Sequence, residues 1–124
     1  MIKGYRDFYY NVADMNRAVR FYTEALGLKK AHGDEYWTSM TLGNLNLGLH
    51  WTEGDSVPIS PRDSHGCHNG GTLTLESDNV PNDRKNIESA GGKILSESKQ
   101  EWGHMLVFED LDGNVLKLMN PTHF

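Results

Sequence analysis

The chain has 124 residues, 37% hydrophobic and 23% charged, the size and balance of one globular domain rather than of two unrelated ones. Twelve Lys and Arg against seventeen Asp and Glu give a formal net charge of −5, and the basic residues are scattered, so the sequence carries no footprint for nucleic acid or an anionic membrane. No apolar run approaches the roughly 18 residues of a membrane-spanning helix, the first residues lack the apolar stretch of a secretory leader, and Cys67 is alone, so a cytoplasmic protein without an intrachain disulfide is expected.

In chain order, Arg6 to Val12 reads as a strand. Asp14 then opens an amphipathic helix: Val19, Tyr22 and Leu26 recur at i, i+3 and i+7, Met15 and Ala18 share their face, and Gly27 supplies the left-handed stop. Three strands follow, Leu28 to Ala31, Tyr36 to Leu42 and Leu45 to Trp51, the last two joined at Gly43-Asn44. Residues 53–69 are rich in Gly, Ser, Pro, Asp and His, lack periodicity and read as a surface connection, either linker or lid.

The same order then returns. Gly71 to Glu76 is strand-like, and Asp78 opens a second, weaker helix that ends at Gly91-Gly92, with Pro81 acceptable only in its first turn. Lys93 to Ser98, His104 to Phe108 and Val115 to Met119 complete the set, the last two joined through Asp112-Gly113-Asn114. Asp14 and Asp78 each precede a glycine by thirteen residues and lie 64 apart, about half the chain. The reading is an α+β domain over 1–124 made of two βαβββ modules, about 1–52 and 70–124 with a connecting loop over 53–69. One module cannot bury a core alone, so the two are expected to pair into a curved mixed sheet with a central cleft and the helices on its outer face.

Side chains two apart on a strand share a face, which sorts the candidates. The leucines of Leu45 to Leu49, of Leu73 to Leu75 and of Leu116 to Leu118 belong under the helices, leaving Asp7, Tyr9, Asn46, Gly48, His50, Thr72 and Lys117 for the cleft. From the aromatic residues, Tyr9, Trp51 and Trp102 are selected as ring contacts for a ligand. If there is chemistry, its candidates are Asp7, His50 and Lys117; His50 could be a general base near neutral pH, or a sheet histidine hydrogen-bonded to a neighbour. His65, Cys67 and His68 offer three zinc donors, but a structural site takes four and no fourth stands at suitable spacing, so a polar loop is the preferred reading.

Two βαβββ modules, with Asn11-Val12-Ala13-Asp14-Met15, Phe21-Tyr22 and Leu26-Gly27-Leu28 in the first and Phe108 to Leu118 in the second, resemble the vicinal oxygen chelate superfamily of glyoxalase I, bleomycin-resistance proteins, fosfomycin-resistance enzymes and extradiol dioxygenases. The resemblance implies four metal-ligand positions, which fall on Asp7, on Gly48 or, with a register slip of two, Asn46, on Thr72, and on Lys117 where the family places a Glu. An ammonium has no acceptor and would repel a cation, so the expectation is no metal and no cofactor. What takes the metal's place is either an Asp7–Lys117 ion pair with Thr72 as hydroxyl partner, or a wet cleft in which Lys117 snorkels. The resemblance then implies a bleomycin-resistance-like protein that binds a small organic molecule in its cleft, as a homodimer. The alternative is a metal-dependent lyase, isomerase or dioxygenase of the glyoxalase type, with a site rebuilt around His50 and Asp7, with His104 as a further candidate.

Overall fold

The computed structural model describes residues 1–64 and 67–121. His65, one of the three loop zinc candidates, and the C-terminal His123 and Phe124 lie outside them. The chain divides into two compact units, the first Met1–Val57 and the second beginning at Pro58. No helix among the described residues is long and apolar enough to cross a membrane.

The first unit runs β1 (Phe8–Val12), α1 (Met15–Glu24), β2 (Lys29–Gly33), β3 (Trp37–Leu42) and β4 (Leu45–Trp51), and its sheet has the order β1-β4-β3-β2. The second runs β5 (Leu73–Glu76), α2 (Val80–Ser89), β6 (Lys93–Gln100), β7 (Gly103–Glu109) and β8 (Val115–Pro121), in the order β5-β8-β7-β6. Each sheet is mixed: the first strand pairs in parallel with the last, and the other pairs are antiparallel. Both modules therefore have the βαβββ order expected from the sequence.

The periodic faces explain the packing. Ala18, Phe21 and Tyr22 of α1 are buried against Tyr10, Val12, Met40, Leu47 and Leu49, and the Tyr10 and Tyr22 rings stack at 6.4 Å. In the second unit Val80 and Ile87 of α2 are fully buried with Leu106, Phe108 and Leu116. Removing each of the large apolar side chains from water contributes about 1.5–3 kcal/mol, so each inward face holds its own module together.

The helix ends refine the repeat. Asp14 caps α1 by accepting from the Arg17 amide at 3.0 Å, as expected, whereas α2 is capped by Asn79 and not Asp78. The Asn79 side chain accepts from the Asn82 amide, and its own backbone N–H is tied to the Ser77 hydroxyl, which sets the entry one residue later than the aspartate suggests. Helices and first strands thus correspond at an offset of 65. The stop glycines, Gly27 at φ 75° and Gly91 at φ 97°, return to 64, and so does the extra residue that bulges the next strand, Ala31 in β2 and Leu95 in β6.

The connection is not a free linker. Arg62 donates to the Glu109 carboxylate at 2.7 Å and to the Gly113 carbonyl at 2.8 Å, pinning the segment to the β7–β8 end of its own unit. Arg62 also bridges backbone to backbone with His68. At the β7–β8 hairpin, Asp110 accepts from the Asp112 and Asn114 amides, both at 2.9 Å, which holds the turn that Asp112-Gly113-Asn114 signals.

Candidate functional site

In the first unit the helix covers one face of the sheet, and the residues of opposite parity line the other. Register places Tyr9 beside Gly48 and Asn11 beside His50 on β1 and β4, and Ser39 beside Gly48 and Trp37 beside His50 on β3 and β4. Tyr9, Asn46, Gly48 and His50 therefore share the open face, as their spacing predicts, with Asp7 half-buried just before β1. His50 Nδ1 lies 2.9 Å from the Asn11 side-chain oxygen, so the histidine does have a hydrogen-bonded neighbour.

At the centre of this face stands Trp37, which was not among the expected site residues. Its indole lies over Gly48: a Cβ built on that glycine would sit 2.1 Å from Trp37 Cζ2. Trp37 is 5.4 Å from the Tyr9 ring and 6.3 Å from His50, and Tyr9 meets His50 at 6.1 Å, so the three rings form one tilted aromatic cluster. The indole Nε1 donates to the Ser39 hydroxyl at 3.2 Å. Upstream, the Asp34 carboxylate accepts from the Trp37 and Tyr36 amides at 2.9 and 2.8 Å, and these bonds, Trp37's first, hold its pKa below the usual carboxylate value. The start of β3 is thereby fixed, and Trp37 with it. A sequence signal existed: counting outward from the Gly43-Asn44 turn puts Trp37 opposite His50.

Beside the indole lies a hollow of about 520 Å³ whose walls include Asp7, His32, Trp37, Ser39 and Asn46. The Asn46 amide donates to the Arg6 carbonyl at 3.1 Å, and its backbone N–H donates to the Tyr5 hydroxyl at 3.2 Å.

Trp51 does not join this group. It has the parity of Leu47 and Leu49, so it lies on the helix side, with Nε1 donating to the Ala13 carbonyl at 3.0 Å and its ring 5.5 Å from Tyr36. There it borders a separate hollow of about 570 Å³ with Met15, Val19 and Lys30.

In the second unit, Thr74 pairs with Lys117 on β5 and β8, and Lys117 with Val107 on β8 and β7. Lys117 is half-buried on the face opposite the buried Leu116 and Leu118. The Thr72 hydroxyl lies 3.1 Å from His68 Nε2, and His68 Nδ1 lies 3.0 Å from the Asn69 carbonyl. His68 is thus engaged by its neighbours as a polar-loop residue. Trp102, selected as a ring contact for a ligand, occupies the turn between β6 and β7, where it is exposed. His104 has the parity of Leu106 and lies on the helix side, 2.6 Å from Glu97, which also pairs with Arg84 of α2. These bonds, His104's first, hold Glu97 below the usual carboxylate value. Asp7 belongs to the first unit and Lys117 to the second; among the described residues of the second unit, Arg62 and Glu109 form a largely buried ion pair, with side chains 15% and 11% exposed.

The parallel registers make Gly48 and Lys117 equivalent positions, since Gly48 faces Tyr9 and Lys117 faces Thr74, two residues after Asp7 and Thr72. Gly48, not Asn46, is the counterpart in the repeat. Among the described residues, no three His, Cys, Asp or Glu side chains form a group that could hold a metal ion.

The model of the Glyoxalase/Bleomycin resistance protein/Dioxygenase superfamily matches residues 6–118. The chain belongs to this superfamily. No curated protein matches it. Among solved structures, a hypothetical protein of S. aureus is 20% identical with a TM-score of 0.76, covering 97% of this chain and 94% of its own. The genomically encoded fosfomycin resistance protein FosX of Listeria monocytogenes is 17% identical with a TM-score of 0.76, over 99% and 97%. Lactoylglutathione lyase of Agrobacterium tumefaciens is 16% identical with a TM-score of 0.67, over 96% and 94%. At these identities the likeness establishes the fold, which hosts many activities.

Proposed function

We propose that this chain is a metal-independent member of its superfamily that binds a small organic molecule on the open sheet face built by Asp7, Tyr9, Trp37 and His50. The observation that carries the reading is the place of Trp37. Gly48 offers no ligand atom, and the space into which a side chain at that position would project is filled by indole carbon. Of the other positions where the family holds its metal, Asp7 alone offers a carboxylate, Thr72 offers a hydroxyl already next to His68, and Lys117 offers an ammonium with no acceptor. This set does not fit a divalent ion. The open face offers instead the rings of Tyr9, Trp37 and His50 beside polar groups that can orient a small molecule. A cytoplasmic homodimer is part of the same proposal, and light scattering on the eluting protein would measure the dimer.

The test is a thermal-shift screen with aromatic and glycopeptide compounds, in which a ligand at 100 times its Kd stabilises by about 2.7 kcal/mol. At least one class is expected to stabilise the wild type and not a Trp37→Leu variant. No stabilisation across a broad library would remove the reading.

A further inference from the structure

We propose that the hollow beside Trp37 takes a planar aromatic ring carrying an amidinium or similar N–H donor, stacked on the indole and hydrogen-bonded to the Asp7 carboxylate. This rests on the binding function proposed above and names the ligand class.

The floor of the hollow is preformed. A ligand loses affinity when it must order the side chains it touches. Trp37 is already held by Ser39 at its Nε1, by Tyr9 at 5.4 Å and by the Asp34 carboxylate at its backbone N–H. Its ring is seated on a glycine that leaves room for nothing else. A flat ring laid on it gains stacking at little ordering cost.

The polar groups around the floor differ in whether the protein already uses them. The Ser39 hydroxyl receives the indole N–H, and the Asn46 amide donates to the Arg6 carbonyl. Asp7 lines the same hollow and is half-buried, and its carboxylate has no hydrogen-bond or ion-pair partner within its unit. A carboxylate only accepts, so the group that completes it is a donor, and a planar fork of two N–H groups matches its two oxygens. Arg6, which also lines the hollow, is exposed and forms no ion pair with Asp7. A hollow of about 520 Å³ holds one such ring with its substituent.

Benzamidine and benzoate separate the possibilities, because they share a ring and differ in the sign of the planar group. The readout is the indole N–H signal of Trp37 in nitrogen-15 NMR spectra of the whole chain, assigned by its loss in Trp37→Phe. Benzamidine is expected to move that signal saturably while benzoate at equal concentration does not, and Asp7→Asn should weaken benzamidine by about tenfold or more, the worth of a hydrogen bond to a charged group. Signal dispersion in the Asp7→Asn spectrum verifies that this variant is folded. Benzoate binding as well as benzamidine, or unchanged benzamidine affinity in folded Asp7→Asn, would overturn the proposal. If benzamidine fails while another library compound moves the Trp37 signal, the ligand class falls and the binding function stands. If no compound moves it, both fall.

Discussion

Gly48 and Lys117 occupy the same place in two copies of one module, and they differ as much as two residues can: no side chain under an indole on one sheet, a long cation on the other. The opposite faces of the same strands have not diverged in this way. Leu47 and Leu49 correspond to Leu116 and Leu118, all buried under a helix. A helix-covered position is restricted to apolar side chains of the right volume, while an open-face position is restricted only by what the protein does with it. The contrast between faces is therefore the best guide to function in this chain.

Core truncation tests the part held in common. Phe21→Ala should cost about 3–5 kcal/mol in urea unfolding and Ile87→Ala about 2–5, since both leave cavities in fully packed sites. A cost below about 1 kcal/mol at Ile87 would mean that α2, with its polar and proline-containing sequence, is held by its caps rather than by its buried face. The ion pair comes next. Arg62→Ala should destabilise by about 3 kcal/mol, because it strands the Glu109 carboxylate in a largely buried place, and Arg62→Ala with Glu109→Leu should recover part of that loss.

Gly48→Ala sharpens the contrast directly. A methyl at 2.1 Å from the indole must displace Trp37, costing about 1–3 kcal/mol and shifting tryptophan emission to the red, whereas Lys117→Ala should cost under about 1 kcal/mol and leave emission unchanged. The smallest effect is titration. Asp34 in the first unit and Glu97 in the second both have pKa values depressed by folding, so each adds stability above the ordinary carboxylate pKa of about 4, and that stability is lost as pH falls through the folded value. Asp34→Asn and Glu97→Gln should each flatten the acid limb of melting temperature against pH. Salt should flatten it further for Glu97, which relies on charged partners, than for Asp34, which relies on backbone amides.

The strands, both helices and the duplication were legible because buried faces impose periods of 2 and 3.6 and because the turn glycines mark the ends. Parity put Tyr9, Asn46, Gly48 and His50 on one face for the same reason, and the register agrees. Trp51 has the parity of the buried leucines, and selecting it by residue type overrode that geometry. Trp37 was missed although the hairpin register contained it, since what it does depends on Gly48 lying beneath it, a relation across two strands. Arg62 had no signal, because a loop without periodicity gives no indication of which carboxylate it will reach. The offset of 64 read from two aspartates and the offset of 65 observed in the helices differ because Asn79, one residue past Asp78, supplies the cap.

We infer that an aromatic surface stands where the superfamily keeps a metal. Titrating the untagged chain with Ni²⁺, Zn²⁺, Mn²⁺ and Fe²⁺ in turn by calorimetry measures it most directly. No saturable uptake of one ion per chain that depends on Asp7 or His50 is expected. Stoichiometric binding abolished by Asp7→Asn or His50→Ala would contradict it and restore the metal-dependent lyase, isomerase or dioxygenase.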